Sequence, residues 1–97
     1  MYETRFTPEA LDDLQALRKF EQKEILNGVE SQLEHEPKLE TRNRKLLRPN
    51  NLAEWELRIG KFRVFYDVDE QTKIVKIEAI GYKHGSRLFI HGEEYKL

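Results

Sequence analysis

A chain of 97 residues, 38% hydrophobic and 36% charged, supports one modest core under a charged exterior and leaves no material for a second domain. It has no cysteine, which excludes a disulfide framework, a thiolate nucleophile and zinc-finger spacing, and it has no apolar run of about 18 residues to span a membrane. The net charge of −1 hides a segregation: residues 1–37 carry four Lys/Arg against nine Asp/Glu, residues 38–63 carry eight against three, and residues 64–97 carry five against six.

A basic middle on an acidic scaffold steers polyanions through its local field, whatever the net charge. The opening Met1–Phe6 lacks the long apolar stretch of a signal peptide, so the expectation is one cytoplasmic domain over residues 1–97.

Residues 2–6 alternate apolar and polar and read as a first strand. Thr7-Pro8-Glu9 then opens a helix: Thr7 suits the N-cap, Pro8 the first helical position, and Glu9 the positive end of the dipole. Leu11, Leu14 and Leu17 follow at spacing three, with Ala10 and Phe20 near the same stripe. A second helix runs over about 21–35, with Ile25, Val29 and Leu33 at spacing four and Leu26 beside them. Gly28 inside it predicts close packing against the first helix, and Pro37 stops it.

The period then changes. After the basic connection Lys38–Lys45 and a short apolar pair, Leu46-Leu47, the triplet Pro49-Asn50-Asn51 marks a turn. Trp55, Leu57 and Ile59 alternate with polar residues, as do Phe62, Val64, Tyr66 and Val68 after them. Asp69–Thr72 makes the next turn, Lys73–Ile80 forms a last long strand, and Leu88–Ile90 adds a short one. The fold class is α+β, in the order β-α-α-β-β-β(-β): an antiparallel sheet with an N-terminal helical hairpin on one face.

If Gly60-Lys61 is a two-residue hairpin loop, Ile59 pairs with Phe62, Arg58 with Arg63, Leu57 with Val64, Glu56 with Phe65 and Trp55 with Tyr66. Trp55, Leu57, Ile59, Phe62, Val64 and Tyr66 then share the helix-covered face. Arg58 and Arg63 stand opposite each other on the open face, beside Glu56 and an exposed Phe65. Like charges directly opposite in a ladder destabilise it, so a sheet that carries such a pair presents it to an anion. Arginine forks bind phosphate and an exposed ring stacks on a base, so RNA is the partner this face predicts. Arg42, Arg44, Lys45 and Arg48 extend the basic surface toward phosphate contacts, with Lys61 at the hairpin tip. His35, His84 and His91 lack metal-ligand spacing, and no metal site is expected.

The run Trp55-Glu56-Leu57-Arg58-Ile59-Gly60-Lys61-Phe62-Arg63-Val64-Phe65-Tyr66 resembles the core motif of the RelE/ParE toxin superfamily, W-x-L-R-x-G-x-[FY]-R-V-x-Y. Residues 2–17 and Ile80-Gly81 resemble the same family's opening and its strand end, so the likeness extends to about Phe89. The resemblance implies a RelE-like fold and the toxin of a type II toxin–antitoxin pair. It implies a ribosome-dependent mRNA endonuclease in which a 2′-OH attacks the adjacent phosphate, with no cofactor. By the same likeness Arg63 is the central catalytic arginine, with Glu56, Arg58, Lys83 and His84 completing the catalytic set and Phe89 stacking on a base.

Glu56 departs from the founding pattern, which has lysine there, and Phe89 stands where many members have tyrosine. The implied partners are a cognate antitoxin, the ribosome and mRNA, with operon DNA reached only through the antitoxin complex. The alternative is a non-catalytic binder on the same fold: a gyrase inhibitor, or a degenerate toxin acting through its antitoxin.

Overall fold

Thr7 caps the first helix as its neighbours predict, its hydroxyl accepting from the Ala10 N–H at 3.1 Å, with Pro8 in the first turn. The computed structural model describes residues 1–97. Their order is β1 (Glu3–Phe6), α1 (Pro8–Gln15), α2 (Lys19–Leu33), β2 (Arg44–Leu46), β3 (Trp55–Ile59), β4 (Phe62–Asp69), β5 (Ile74–His84), β6 (Arg87–Ile90) and β7 (Glu93–Tyr95). No helix is long and apolar enough to cross a membrane.

The second helix starts two residues earlier than its apolar spacing suggests. Glu21 folds back to accept the Arg18 backbone N–H at 3.2 Å, which satisfies a donor at the helix start. Gly28 is close-packed, but its neighbour is β3 and not α1. A Cβ there would stand 2.5 Å from Ile59 Cδ1, so the missing side chain lets α2 lie on the β3–β4 hairpin.

The sheet runs β2-β3-β4-β5-β6-β7, all antiparallel, with β1 joining β5 in parallel. The β3–β4 register is the expected one at all five pairs, Arg58 opposite Arg63 among them, and Gly60 takes the positive φ of +56° that the tight turn requires. Two strands beyond the expected order appear, β2 and β7. Each is three residues long and largely polar, too short for alternation to reveal it.

Because β4 occupies one edge of β5 along most of its length, β1 and β6 share the other edge. β1 lies along Ile74–Ile77 and β6 along Gly81–His84. Side chains of Thr7, which caps α1, and of Asp13 in its second turn fill the gap between them. The Thr7 hydroxyl donates to the Glu78 carbonyl at 3.2 Å, and Asp13 Oδ2 accepts the Ile80 N–H at 3.0 Å. Two backbone groups of β5 that lack a strand partner are thereby paired, and α1 is fixed on the sheet. At Gly81, β6 crosses so closely that a Cβ would meet the Phe89 carbonyl oxygen at 2.6 Å.

Both faces of the sheet are packed. The larger core joins Ala10, Leu14, Ile25, Val29 and Leu33 of the helices to the inward row of β3–β5, including Trp55, Leu57, Val64, Tyr66 and Ile77. Within it the Tyr66 hydroxyl donates to the Pro37 carbonyl at 2.7 Å, tying the segment after α2 to the hairpin, and burial raises its pKa. The second core lies on the face expected to be open: Phe65 is fully buried there with Ala53, Ala79, Leu88 and Ile90. Leu47, Leu52 and Tyr95 pack around that cluster. The 47–53 segment is shaped for this by Asn50, whose side chain accepts from Leu52 and Ala53 N–H groups and donates to the Arg48 and Ala53 carbonyls. The exposed Phe65 expected for base stacking is thus corrected to a core residue.

Candidate functional site

The outward row of the β3–β4 hairpin carries Glu56, Arg58 and Arg63, and the two arginines differ in kind. Arg58 is exposed, whereas Arg63 is 8% exposed. Arg63 Nη1 donates to the Gly60 and Phe62 carbonyls at 2.8 and 2.9 Å, and no carboxylate forms a salt bridge with it. Burial lowers its pKa, with Glu56 opposing and Arg58 reinforcing the shift, although a guanidinium stays charged at any physiological pH. A buried cation held by neutral carbonyls is open to an anion.

Glu56 is half-buried and lies directly between Lys45 of β2 and Phe65 of β4. Lys45 and Glu56 line a cleft of about 440 Å³ together with Lys83 of β5, Arg87 of β6, and Tyr95 and Lys96 at the end of β7. Arg87 is paired with Glu94 at 2.8 Å, while Lys45, Lys83 and Lys96 form no salt bridge. Three unpaired lysines line the cleft with Glu56 and the Arg87–Glu94 pair, a local excess of positive charge that attracts anions.

The other expected site residues fall elsewhere. His84 is exposed at the end of β5, outside the cleft-lining set. Phe89 alternates with Leu88 and Ile90, which face the second core, so its ring lies on the opposite side of the sheet, stacked on Tyr82 at 5.4 Å with Arg87 above it. Two expected phosphate contacts instead hold the fold together. The Arg44 guanidinium donates to the Leu39 and Gln32 carbonyls, and the Lys61 ammonium pairs with buried Glu21 at 3.4 Å. Together with the Arg18 backbone N–H, Lys61 keeps the Glu21 carboxyl below its usual range. Arg42 and Arg48 are exposed and lie outside the cleft-lining set, Arg48 at a separate hollow with Glu54, Asp67 and Glu78.

Arg87, Tyr95 and Lys96 were not singled out by sequence reasoning. The signal for them was the dipeptide His91-Gly92, whose residues both take positive φ, at +57° and +78°, and close a two-residue hairpin between β6 and β7.

The separate hollow carries a pH prediction. Burial, reinforced by Asp67 and opposed by Lys76, pushes Glu78 up to about 7 from an ordinary 4.5. Between those values the folded chain holds a proton the unfolded chain has released, so stability falls as pH rises through that window. Glu78→Gln is expected to flatten the fall and to raise the urea midpoint at about pH 8. An unchanged pH profile of the midpoint counts against this assignment.

A two-helix, seven-stranded domain of this kind recurs in solved toxin–antitoxin complexes. It resembles the toxin–antitoxin complex RelBE2 from Mycobacterium tuberculosis, at a TM-score of 0.73 and 27% identity over 84% of this chain and 98% of that one. It also resembles the archaeal RelE–RelB complex from Pyrococcus horikoshii OT3, at a TM-score of 0.62 and 27% identity over 78% and 88%. Among curated proteins a sequence search finds no match. The family model described as the ParE toxin of the type II toxin–antitoxin system parDE matches residues 4–89, and the chain belongs to that family of the RelE/ParE superfamily.

Proposed function

We propose that this toxin inhibits translation as a ribosome-dependent mRNA endonuclease in the cytoplasm, kept inactive by a cognate antitoxin. The observation that carries the reading is Arg63, a buried guanidinium without a counter-ion. It lies outside the cleft lining but on the same sheet face as Glu56, which lines the cleft with the unpaired Lys45, Lys83 and Lys96. In this reading the phosphate at the scissile bond is drawn to Arg63, Lys45 and Lys83, and Arg58 adds charge from the rim. Glu56 accepts the proton of the 2′-OH as its oxygen bonds to phosphorus, and the cations stabilise the charge that builds on the phosphorane. The bond from phosphorus to the 5′-oxygen then breaks, that oxygen leaving with a proton from solvent. The solved relatives are complexes with antitoxins, which supports an antitoxin as the partner that covers this chain at rest. Operon DNA is then met only through that complex. Induced expression with mapping of mRNA 5′ ends, in translating and translation-arrested cells, tests the reading. Cleavage confined to translated messages is expected, and intact messages in translating cells reject it.

A second reading has its own support. Of the two rings expected to stack on bases, Phe65 lies in a core and Phe89 is already stacked on Tyr82, and the matching family model is that of ParE. A binder that inhibits gyrase needs no catalytic set. Supercoiling by purified gyrase, unimpeded at micromolar toxin, rules that reading out.

A further inference from the structure

The family model ends at Phe89, yet the chain continues through the rest of β6, a tight turn and β7 to Lys96, and these last residues lie against the cleft. They are firmly held. His91 Nδ1 lies 2.7 Å from Asp13 Oδ1, while the other oxygen of Asp13 holds the Ile80 N–H, so the turn is pinned to α1. Arg87 and Glu94 pair at 2.8 Å between β6 and β7. Tyr95 stands opposite Leu88 and packs on the second core. Lys96 follows directly. It is exposed and unpaired, and it lines the cleft with Lys45 and Lys83, Lys45 on β2 at one end of the strand order and Lys96 just after β7 at the other.

We infer that the β6–β7 hairpin is a preformed second wall of the cleft and that Lys96 binds a backbone phosphate of single-stranded RNA, opposite the contact made by Lys45. The inference rests on the nuclease reading and adds a residue to its binding surface. Lining one cleft with several unpaired cations leaves them in mutual repulsion, and a polyanion running through the cleft relieves it. Because the wall is already fixed by three side-chain anchors, little ordering accompanies binding.

The test is fluorescence anisotropy of a labelled single-stranded RNA of about ten nucleotides with the purified full chain, Lys96→Ala, Lys96→Glu and a charge-matched control, Lys23→Glu on α2, across a salt series. Lys96→Ala is expected to weaken binding about 3- to 10-fold and to reduce the slope of log K against log salt by about 0.7, the loss of one phosphate contact on a single strand. Lys96→Glu weakens it further, and Lys23→Glu has a smaller effect than Lys96→Glu. If the wild-type chain binds and Lys96→Ala matches it in affinity and slope, the wall does not contact RNA, and the nuclease reading stands without it. Equal weakening by Lys23→Glu and Lys96→Glu also overturns the inference, because net charge alone then explains the effect. Failure of the wild-type chain to bind RNA overturns this inference, whereas the ribosome-dependent nuclease reading is decided separately by the mapping of mRNA 5′ ends in translating cells.

Discussion

Arg63→Ala is expected to reduce mRNA cleavage by about 10²- to 10³-fold, the size of effect seen when one preorganised donor is removed from a developing anion. The reason lies in how Arg63 is held. Its two backbone partners, the Gly60 and Phe62 carbonyls, fix the guanidinium without neutralising it, and burial strengthens its attraction for an incoming phosphate. Arg58, opposite it, is exposed and surrounded by water, so Arg58→Ala is expected to cost much less.

The same anchoring gives Arg63 a structural share. Truncation leaves two carbonyls short of a donor, at about 1–3 kcal/mol, so the urea midpoint has to be measured beside the cleavage map. Arg63→Lys separates the two roles. It keeps the charge and loses the fork, and it is expected to retain part of the activity. Messages cut equally well by folded Arg63→Ala would remove the catalytic assignment.

The β3–β4 hairpin was legible because a two-residue turn with glycine fixes the register, and the register fixes every face. The start of α1 was legible for a similarly local reason, since Thr7 and Pro8 act within one turn. What covers each face was not legible. Alternation says that Phe65 shares a side with Glu56 and Arg58, but the residues that bury it come from 47–53 and from β6, distant in sequence. The same limit applies to charges. Lys61 and Arg44 looked free because their partners, Glu21 and the Gln32 carbonyl, lie on α2 and are brought to them only by the fold. Of the basic residues expected at the site, Lys45 and Lys83 are the ones that meet Glu56 in the cleft.

Phe65→Ala is expected to destabilise the chain by about 3–5 kcal/mol, the range for emptying a buried aromatic site. A domain of this size is held by roughly 5–15 kcal/mol, so the change brings it near unfolding, read as a large fall in urea midpoint. Phe89→Ala, which loses a half-exposed ring stacked on Tyr82, is expected to cost nearer 1 kcal/mol. The pair of variants decides between two accounts of the same face. If Phe65 were a base-stacking ring, Phe65→Ala would lose RNA affinity with stability intact. If it is the centre of the second core, stability falls first, and Phe65→Leu recovers most of it by refilling the site with an apolar group of similar bulk. That core also positions the cleft. Tyr95 packs on the cluster that contains Phe65, and Lys96 follows Tyr95, so loosening Phe65 frees the β7 wall while Arg63 keeps its partners at Gly60 and Phe62. Just above its unfolding threshold, Phe65→Ala is therefore expected to lose the salt-dependent RNA contact of Lys96 before it loses the contact made by Arg63.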